Sequence, residues 1–244
     1  MTQYVLPPTV PSVEVAGETA RFPVRRIYCV GFNYAEHNRE MGRDSSREPP
    51  IFFSKPADAV LADAADLAYP PRTSNLHYEA ELVVAVGAGG QRIAAGDALG
   101  HVYGYAVGND YTRRDLQSAA KDKGRPWDTA KGFDHAAGIG AIHAAARVGH
   151  PRRGRIWLTV NGVERQHADL ADMIWDVPGI IAELSTYFEL RPGDLIYTGT
   201  PAGVGPLWPG DVVVAGVEGL GTLTHRITGE APPAALRKQP TVPA

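Results

Sequence analysis

Cysteine is nearly absent from this chain. Cys29 is the only one in 244 residues, which excludes an internal disulfide and any thiolate zinc site. It lies in the apolar stretch Ile27-Tyr28-Cys29-Val30, where a thiol is a packing residue before it is a nucleophile. Long apolar runs are absent too: none reaches the roughly 20 residues that a bilayer-spanning helix needs. The N-terminus has no charged segment leading into an apolar core, so the expected setting is cytoplasmic, with no membrane partner. Charge of one sign is also lacking. The 24 basic and 27 acidic residues leave a net −3, and no Lys/Arg cluster accompanies aromatics, so nucleic acid is not an expected partner.

What the sequence does have is an ordinary globular composition, 44% hydrophobic and 21% charged, and enough length to bury a substantial core. Residues 1–20 are Pro-rich and read as an arm packing on the body or on a partner subunit. Residues 21–228 form the expected catalytic domain, and residues 229–244, rich in Pro and Ala, a flexible tail. Strand signals dominate the body. Residues 155–160 alternate, Asn161-Gly162 supplies the positive φ angles of a tight hairpin, and residues 163–166 return. Pro192-Gly193-Asp194 and Pro209-Gly210-Asp211 each launch an apolar strand. One helix should start at an Asp176 N-cap with Pro178 in its first turn, placing Ile180, Ile181, Leu184, Tyr187 and Phe188 on one face. A shorter helix is expected over residues 34–41. Strands outnumber helices without alternating with them, which predicts an α+β, β-rich fold and not a doubly wound sheet.

Glu79-Ala80-Glu81 opens the run Leu82-Val83-Val84-Ala85-Val86, and alternation along a strand puts both carboxylates on one face. Two adjacent anions beside a strand core repel unless a cation lies between them. Asp110 ends a second apolar strand. Three carboxylates at strand ends suit a hard cation such as Mg²⁺ or Mn²⁺, although exposed strand-end acids would share the same spacing. His37 and Glu40, three apart, stack on one helical face, where a carboxylate can orient an imidazole and strengthen it as a base toward water. A surface helix pair would look the same.

From residue 22 to residue 227 the sequence resembles the fumarylacetoacetate hydrolase superfamily. The resemblance is carried by residues 27–34, Phe53-Ser54-Lys55-Pro56, His77-Tyr78-Glu79-Ala80-Glu81-Leu82 and Gly108-Asn109-Asp110-Tyr111. It continues in Asp115-Leu116-Gln117, Lys131-Gly132-Phe133-Asp134 and the Thr198-Gly199-Thr200-Pro201-Ala202-Gly203-Val204-Gly205 stretch. This likeness implies a mixed β-sandwich roll with peripheral helices, assembled as a homodimer, acting on a small 2-keto acid. It implies metal ligands at Glu79, Glu81 and Asp110, with Mg²⁺ expected and Mn²⁺ possible. Lys131 would reach the substrate oxygen beside the metal, where a fixed ammonium stabilises a developing enolate. Gln117 and Thr200 would hold the keto-acid carboxylate, Thr200 being preferred to Thr198. The glycines around Thr200 would expose amide N–H groups to that anion. His37 and Glu40 would lie on a lid and activate water. The expected reaction is metal-dependent hydrolysis of a C–C bond in an acylpyruvate, with oxaloacetate decarboxylation, keto–enol tautomerisation or a 2-keto acid hydratase or isomerase as alternatives, and a silent keto-acid-binding protein as the remaining one.

Residues 23–31 and 47–60 are most similar to the branch of that family that splits fumarylpyruvate in bacterial gentisate breakdown. Two positions depart from the branch: Phe32 stands where it usually carries arginine, and Gly138 where it carries proline. A dianionic substrate then needs another cation for its distal carboxylate, for which Arg39, Arg43 and Arg113 are candidates.

Overall fold

The computed structural model describes residues 4–41 and 48–230. A mixed eight-stranded sheet forms the centre. Its order is Ile51–Lys55, Arg26–Gly31, Asp194–Tyr197, Ala80–Val86, Val102–Asp110, Ala137–Ile139 and Val60–Ala62, with His143–Ala144 also pairing Val102–Asp110. A five-stranded sheet packs against it in the order Val163–Asp169, Arg155–Val160, Val212–Val217, Gly221–Thr228, Asp66–Ala68. A short third sheet joins Thr112–Arg113, Leu76–Tyr78 and Gly205–Leu207. This is the expected β-rich α+β architecture.

Alternation assigns each strand's side chains to two cores. Leu82, Val84, Tyr105, Val107 and Ile196 meet Ile156, Leu158, Val213, Ala215 and Leu223 of the five-stranded sheet. Val83, Ala85, Ala106, Leu195 and Tyr197 face the other way and are covered by Val13, Val15, Phe22 and Val24. With both faces covered, every residue of Ala80–Val86 is buried, which is why that stretch reads as a continuous apolar run. Cys29 is a packing residue of the second core, and burial pushes its thiol pKa well up.

The turn chemistry acts as anticipated. Asn161 and Gly162 take φ of 51° and 76°, closing the Arg155–Val160/Val163–Asp169 hairpin. Asp176 accepts from the Gly179 N–H at 3.0 Å and caps the helix Val177–Tyr187. One expectation needs correcting. Tyr187 and Phe188 are not on the buried face with Ile180, Ile181 and Leu184; they lie 62% and 37% exposed, against Phe52 and Tyr28. In the N-terminal segment Ser12–Glu14 pairs with Arg21–Pro23, and Val13 and Val15 enter the second core. Residues 231–244 of the expected tail lie outside the described residues. Among the described residues no helix is long and apolar enough to cross a membrane.

Candidate active site

The strands Ala80–Val86 and Val102–Asp110 pair antiparallel, with Ala80 opposite Asn109 and Glu81 opposite Gly108. That register brings Glu79, Glu81 and Asp110 to one point. The pairing is locked beyond the strand end, since the Asp110 N–H donates to the Glu79 carbonyl at 2.8 Å and the Glu79 N–H to the Asn109 side chain at 2.9 Å. All three carboxylates are buried, and one oxygen from each lies within 4.8 Å of the others.

Three buried cations face these acids. Lys131, from the short helix Asp128–Lys131, donates to Glu79 Oε2 and Asp110 Oδ2, both at 2.7 Å. Arg114 bonds Glu79 Oε1 through Nη2. Lys55 Nζ stands 2.7 Å from Asp110 Oδ1, off the angle a hydrogen bond requires, so that oxygen is left with a charge beside it but no hydrogen bond. Burial opposes the ionised Glu79, yet Lys131 and Arg114 together overcome it and hold its pKa far below the ordinary carboxylate range. Glu81 goes the other way. Burial, then Asp110 and Glu79, push its pKa well up against the opposing Gly199 N–H. A buried cluster of hard oxygen donors, with one carboxylate disfavoured by its own neighbours and one oxygen lacking a hydrogen bond, fits a Mg²⁺- or Mn²⁺-type cation.

A pocket opens over this cluster, lined by Glu79, Glu81, Lys131, Gln117, Thr200 and His37 among others. Four of the residues singled out from the sequence for chemistry or metal, His37, Lys131, Glu79 and Glu81, thus share one cavity with Gln117 and Thr200. His37, on the helix Ala35–Glu40, is buried, and its Nδ1 lies 3.1 Å from Glu40 Oε2. A carboxylate at Nδ1 fixes the tautomer with the proton there, leaving Nε2 as the acceptor. Thr200 Oγ1 accepts from Gln166 Nε2 at 2.8 Å, which frees its own hydrogen to donate. Thr198 instead spends its hydroxyl on the Leu82 carbonyl, 2.9 Å away. Gln117 Oε1 accepts from Arg114 Nη1 at 2.5 Å, leaving its NH₂ as the donor.

Three placements differ from the sequence reading. The glycine-rich loop gives its amides to the protein's own acids: Gly199 N–H to Glu81 at 2.7 Å and Gly203 N–H to both Glu40 oxygens at 3.2 Å. Gly203 has φ +96°, and a Cβ there would stand 2.0 Å from the Arg165 carbonyl oxygen. Arg113 is not a pocket residue. Its Nη1 bonds the Thr129 carbonyl at 3.0 Å and its guanidinium lies 4.5 Å from the Phe133 ring centre. Its neighbour Arg114 turns in, because the strand Thr112–Arg113 ends there and the helix Arg114–Asp122 begins. Arg39 pairs with Glu36 on an exposed surface, and Arg43 lies outside the described residues.

The sequence reading also passed over Lys55, Arg114 and His77. His77 is pushed down to about 3 by burial and then by the Arg114 charge, so it is neutral. Its Nε2 contacts Asn75 Oδ1 at 2.9 Å and its Nδ1 receives Arg114 Nε at 3.4 Å, which aims the guanidinium at Glu79. Lys55 and His77 stood inside the quoted motifs, and that was the one signal available for them.

The chain is similar to known proteins over most of its length. The chain is 47% identical over 186 residues to the fumarylpyruvate hydrolase of Ralstonia sp, covering 75% of this chain and 96% of the relative. It is 38% identical over 203 residues to the mitochondrial oxaloacetate tautomerase FAHD1 of Homo sapiens, covering 83% and 91%. Its structure is similar to the crystal structure of fumarylpyruvate hydrolase from Pseudomonas aeruginosa in complex with Mn²⁺ and pyruvate, with a TM-score of 0.91 and 50% identity over 93% of this chain and 100% of that one. The family model of the fumarylacetoacetate (FAA) hydrolase C-terminal domain matches residues 26–228, and the chain belongs to that family of enzymes.

Proposed function

We propose that this protein hydrolyses a C–C bond of an acylpyruvate, with fumarylpyruvate giving fumarate and pyruvate. The observation that carries the reading is that His37, oriented by Glu40, lines the same cavity as Glu79, Glu81 and Lys131. Hydrolysis needs a base for water beside the enolate-stabilising end, and His37 with Glu40 supplies one. Similarity to the Ralstonia and Pseudomonas fumarylpyruvate hydrolases supports the same choice.

Glu79, Glu81 and Asp110 would hold one divalent cation, Mg²⁺ or Mn²⁺, which when bound supplies Lewis-acid polarisation of the keto acid. Everything else is done by the chain. Gln117 NH₂ and the Thr200 hydroxyl donate to the substrate carboxylate. His37 Nε2 accepts a proton from water as the water oxygen bonds to the distal carbonyl carbon. The C–C bond then breaks, its electron pair becoming the enolate of pyruvate, beside which the Lys131 ammonium stands. The proton held on His37 Nε2 then passes to the enolate carbon, directly or through water, which restores the neutral imidazole and completes the balance. The three acids face three cations, so a bound dication leaves the cluster with a net +2, opposite in sign to the keto-acid carboxylate plus the enolate.

Loss of acylpyruvate absorbance by the protein, abolished by EDTA and restored by Mg²⁺, is the expected result. Oxaloacetate turnover with no acylpyruvate cleavage would reject hydrolysis in favour of tautomerisation.

A further inference from the structure

Leu223, His225 and Ile227 alternate onto the core-facing side of the strand Gly221–Thr228, and His225 is the one among them that can hydrogen-bond. It is buried, and both ring nitrogens are used. Nε2 donates to the Ala62 carbonyl at 2.9 Å, which leaves Nδ1 bare to accept from the Tyr111 hydroxyl, also at 2.9 Å. Burial pushes the imidazole pKa down and the phenol pKa up, so the ring stays neutral and the phenol keeps the proton that it donates. Tyr111 follows Asp110 directly and is held at two further points. Its N–H donates to the Ala136 carbonyl at 3.0 Å, and its carbonyl accepts from Lys55 Nζ at 3.1 Å. Gly138 lies against the pair: a Cβ there would stand 2.7 Å from His225 Cε1 and 3.2 Å from both His225 Nδ1 and Tyr111 Cε2. The imidazole could swing clear only by giving up one of its two bonds. Gly138 is one of the two positions at which the chain departs from the branch it most resembles.

We propose that His225 is a positioning residue for the metal site: through the Tyr111 hydroxyl it fixes the main chain that carries Asp110, and Gly138 is the space that this contact needs. The proposal rests on the metal reading of Glu79, Glu81 and Asp110 and extends it to the opposite sheet. Packing alone would be served by an apolar residue, as at Leu223 and Ile227. A buried histidine instead costs desolvation, which its two hydrogen bonds offset. One of those bonds goes to the strand Val60–Ala62 and the other to the residue beside Asp110, so the ring anchors Tyr111 to both large sheets. That hold matters because a metal site needs its ligand distances within about 0.2 Å of ideal. Lys55 keeps its bond to the Lys131 carbonyl when Tyr111 shifts, so the charge beside Asp110 remains and what changes is the place of the carboxylate. Loosening the contact should therefore weaken metal binding.

The test is calorimetric titration of the full chain with Mg²⁺ and with Mn²⁺, alongside thermal melting in EDTA. It compares wild type with Tyr111→Phe, His225→Leu, their combination, His225→Asn and Gly138→Ala. Tyr111→Phe keeps the ring and removes the donor, while His225→Leu fills the space and removes the acceptor. In His225→Asn the amide oxygen takes the place of Nδ1, because both atoms are attached to Cγ. Tyr111→Phe, His225→Leu and Gly138→Ala should each raise the metal Kd about 10-fold, the lower end of what contacts outside the ligands are worth. Combining the first two should weaken binding no further than either alone, since the same hydrogen bond is lost. His225→Asn should stay within about threefold of wild type, although it leaves a larger void than leucine and should melt no higher. A Kd unchanged in Tyr111→Phe or Gly138→Ala, or His225→Asn binding as weakly as His225→Leu, overturns the proposal. If His225→Leu does not fold, the comparison of Tyr111→Phe with His225→Asn decides on the same terms. A wild type that binds neither cation overturns the metal reading of the three acids, and this assignment with it.

Discussion

Replacing Lys55 with Met keeps most of the side-chain stem and removes one charge from the most enclosed part of the molecule. The Lys55 side chain is 0% exposed, and its ammonium donates to the Tyr111 carbonyl at 3.1 Å and to the Lys131 carbonyl while standing 2.7 Å from Asp110 Oδ1. The variant leaves Asp110 with Lys131 alone and removes one of the three cations that face the three acids. Removing one partner of a buried ion pair costs about 3–5 kcal/mol. In a chain of this size each kcal/mol moves Tm by about 2–4 °C, so metal-free Lys55→Met should melt roughly 6–20 °C below wild type. A divalent cation then has an added role, because it replaces the lost charge. Linkage gives about 2.7 kcal/mol of stabilisation at a hundredfold excess over Kd, and the gain should be larger in the variant than in wild type. Scanning calorimetry in EDTA and in a Mg²⁺ series measures both quantities. A metal-free Tm within about 2 °C of wild type, less than 1 kcal/mol, would refute the idea that Lys55 neutralises Asp110.

Glu81→Gln should lose divalent-metal affinity by calorimetric titration and abolish turnover while circular dichroism stays native; full activity with metal chelated would remove the three-acid site from consideration. His37→Ala should lower hydrolysis by about 10²–10⁴-fold, the usual worth of a general base, and any decarboxylation of oxaloacetate by much less, since that needs no attacking water. Equal losses in the two reactions would mean that His37 does not activate water. Gly203→Ala forces a Cβ toward the Arg165 carbonyl oxygen at a positive φ, so it should destabilise the fold by about 1–3 kcal/mol. It should also cut hydrolysis, because the Glu40 tether moves, and wild-type kinetics in this variant would show the tether to be dispensable.

How far the sequence revealed this depends on the range of the interaction. Local chemistry was readable: the Asn161-Gly162 hairpin, the Asp176 cap, and the alternation that puts Glu79 and Glu81 on one side. Asp110 joins them through strand register, which the run before it made visible. Lys55 and Arg114 were not readable from periodicity, since each acts on an acid far away in the chain; Arg114 lies 35 residues from Glu79. Which of Arg113 and Arg114 turns inward is decided at a strand-to-helix junction, where neither the two-residue nor the 3.6-residue period applies. Tyr187 and Phe188 followed helical spacing, but the helix ends at Tyr187, before that face can be covered.

The loop that offers its amides to Glu81 and Glu40 has a consequence for how the enzyme can be altered. Gly199 and Gly203 are four residues apart and have φ of 98° and 96°, so one small stretch of backbone acts as a shared bracket for Glu81, of the proposed metal site, and Glu40, of the proposed base pair. A displacement of that bracket is transmitted to both ends, and substitutions there should change metal affinity and base strength together.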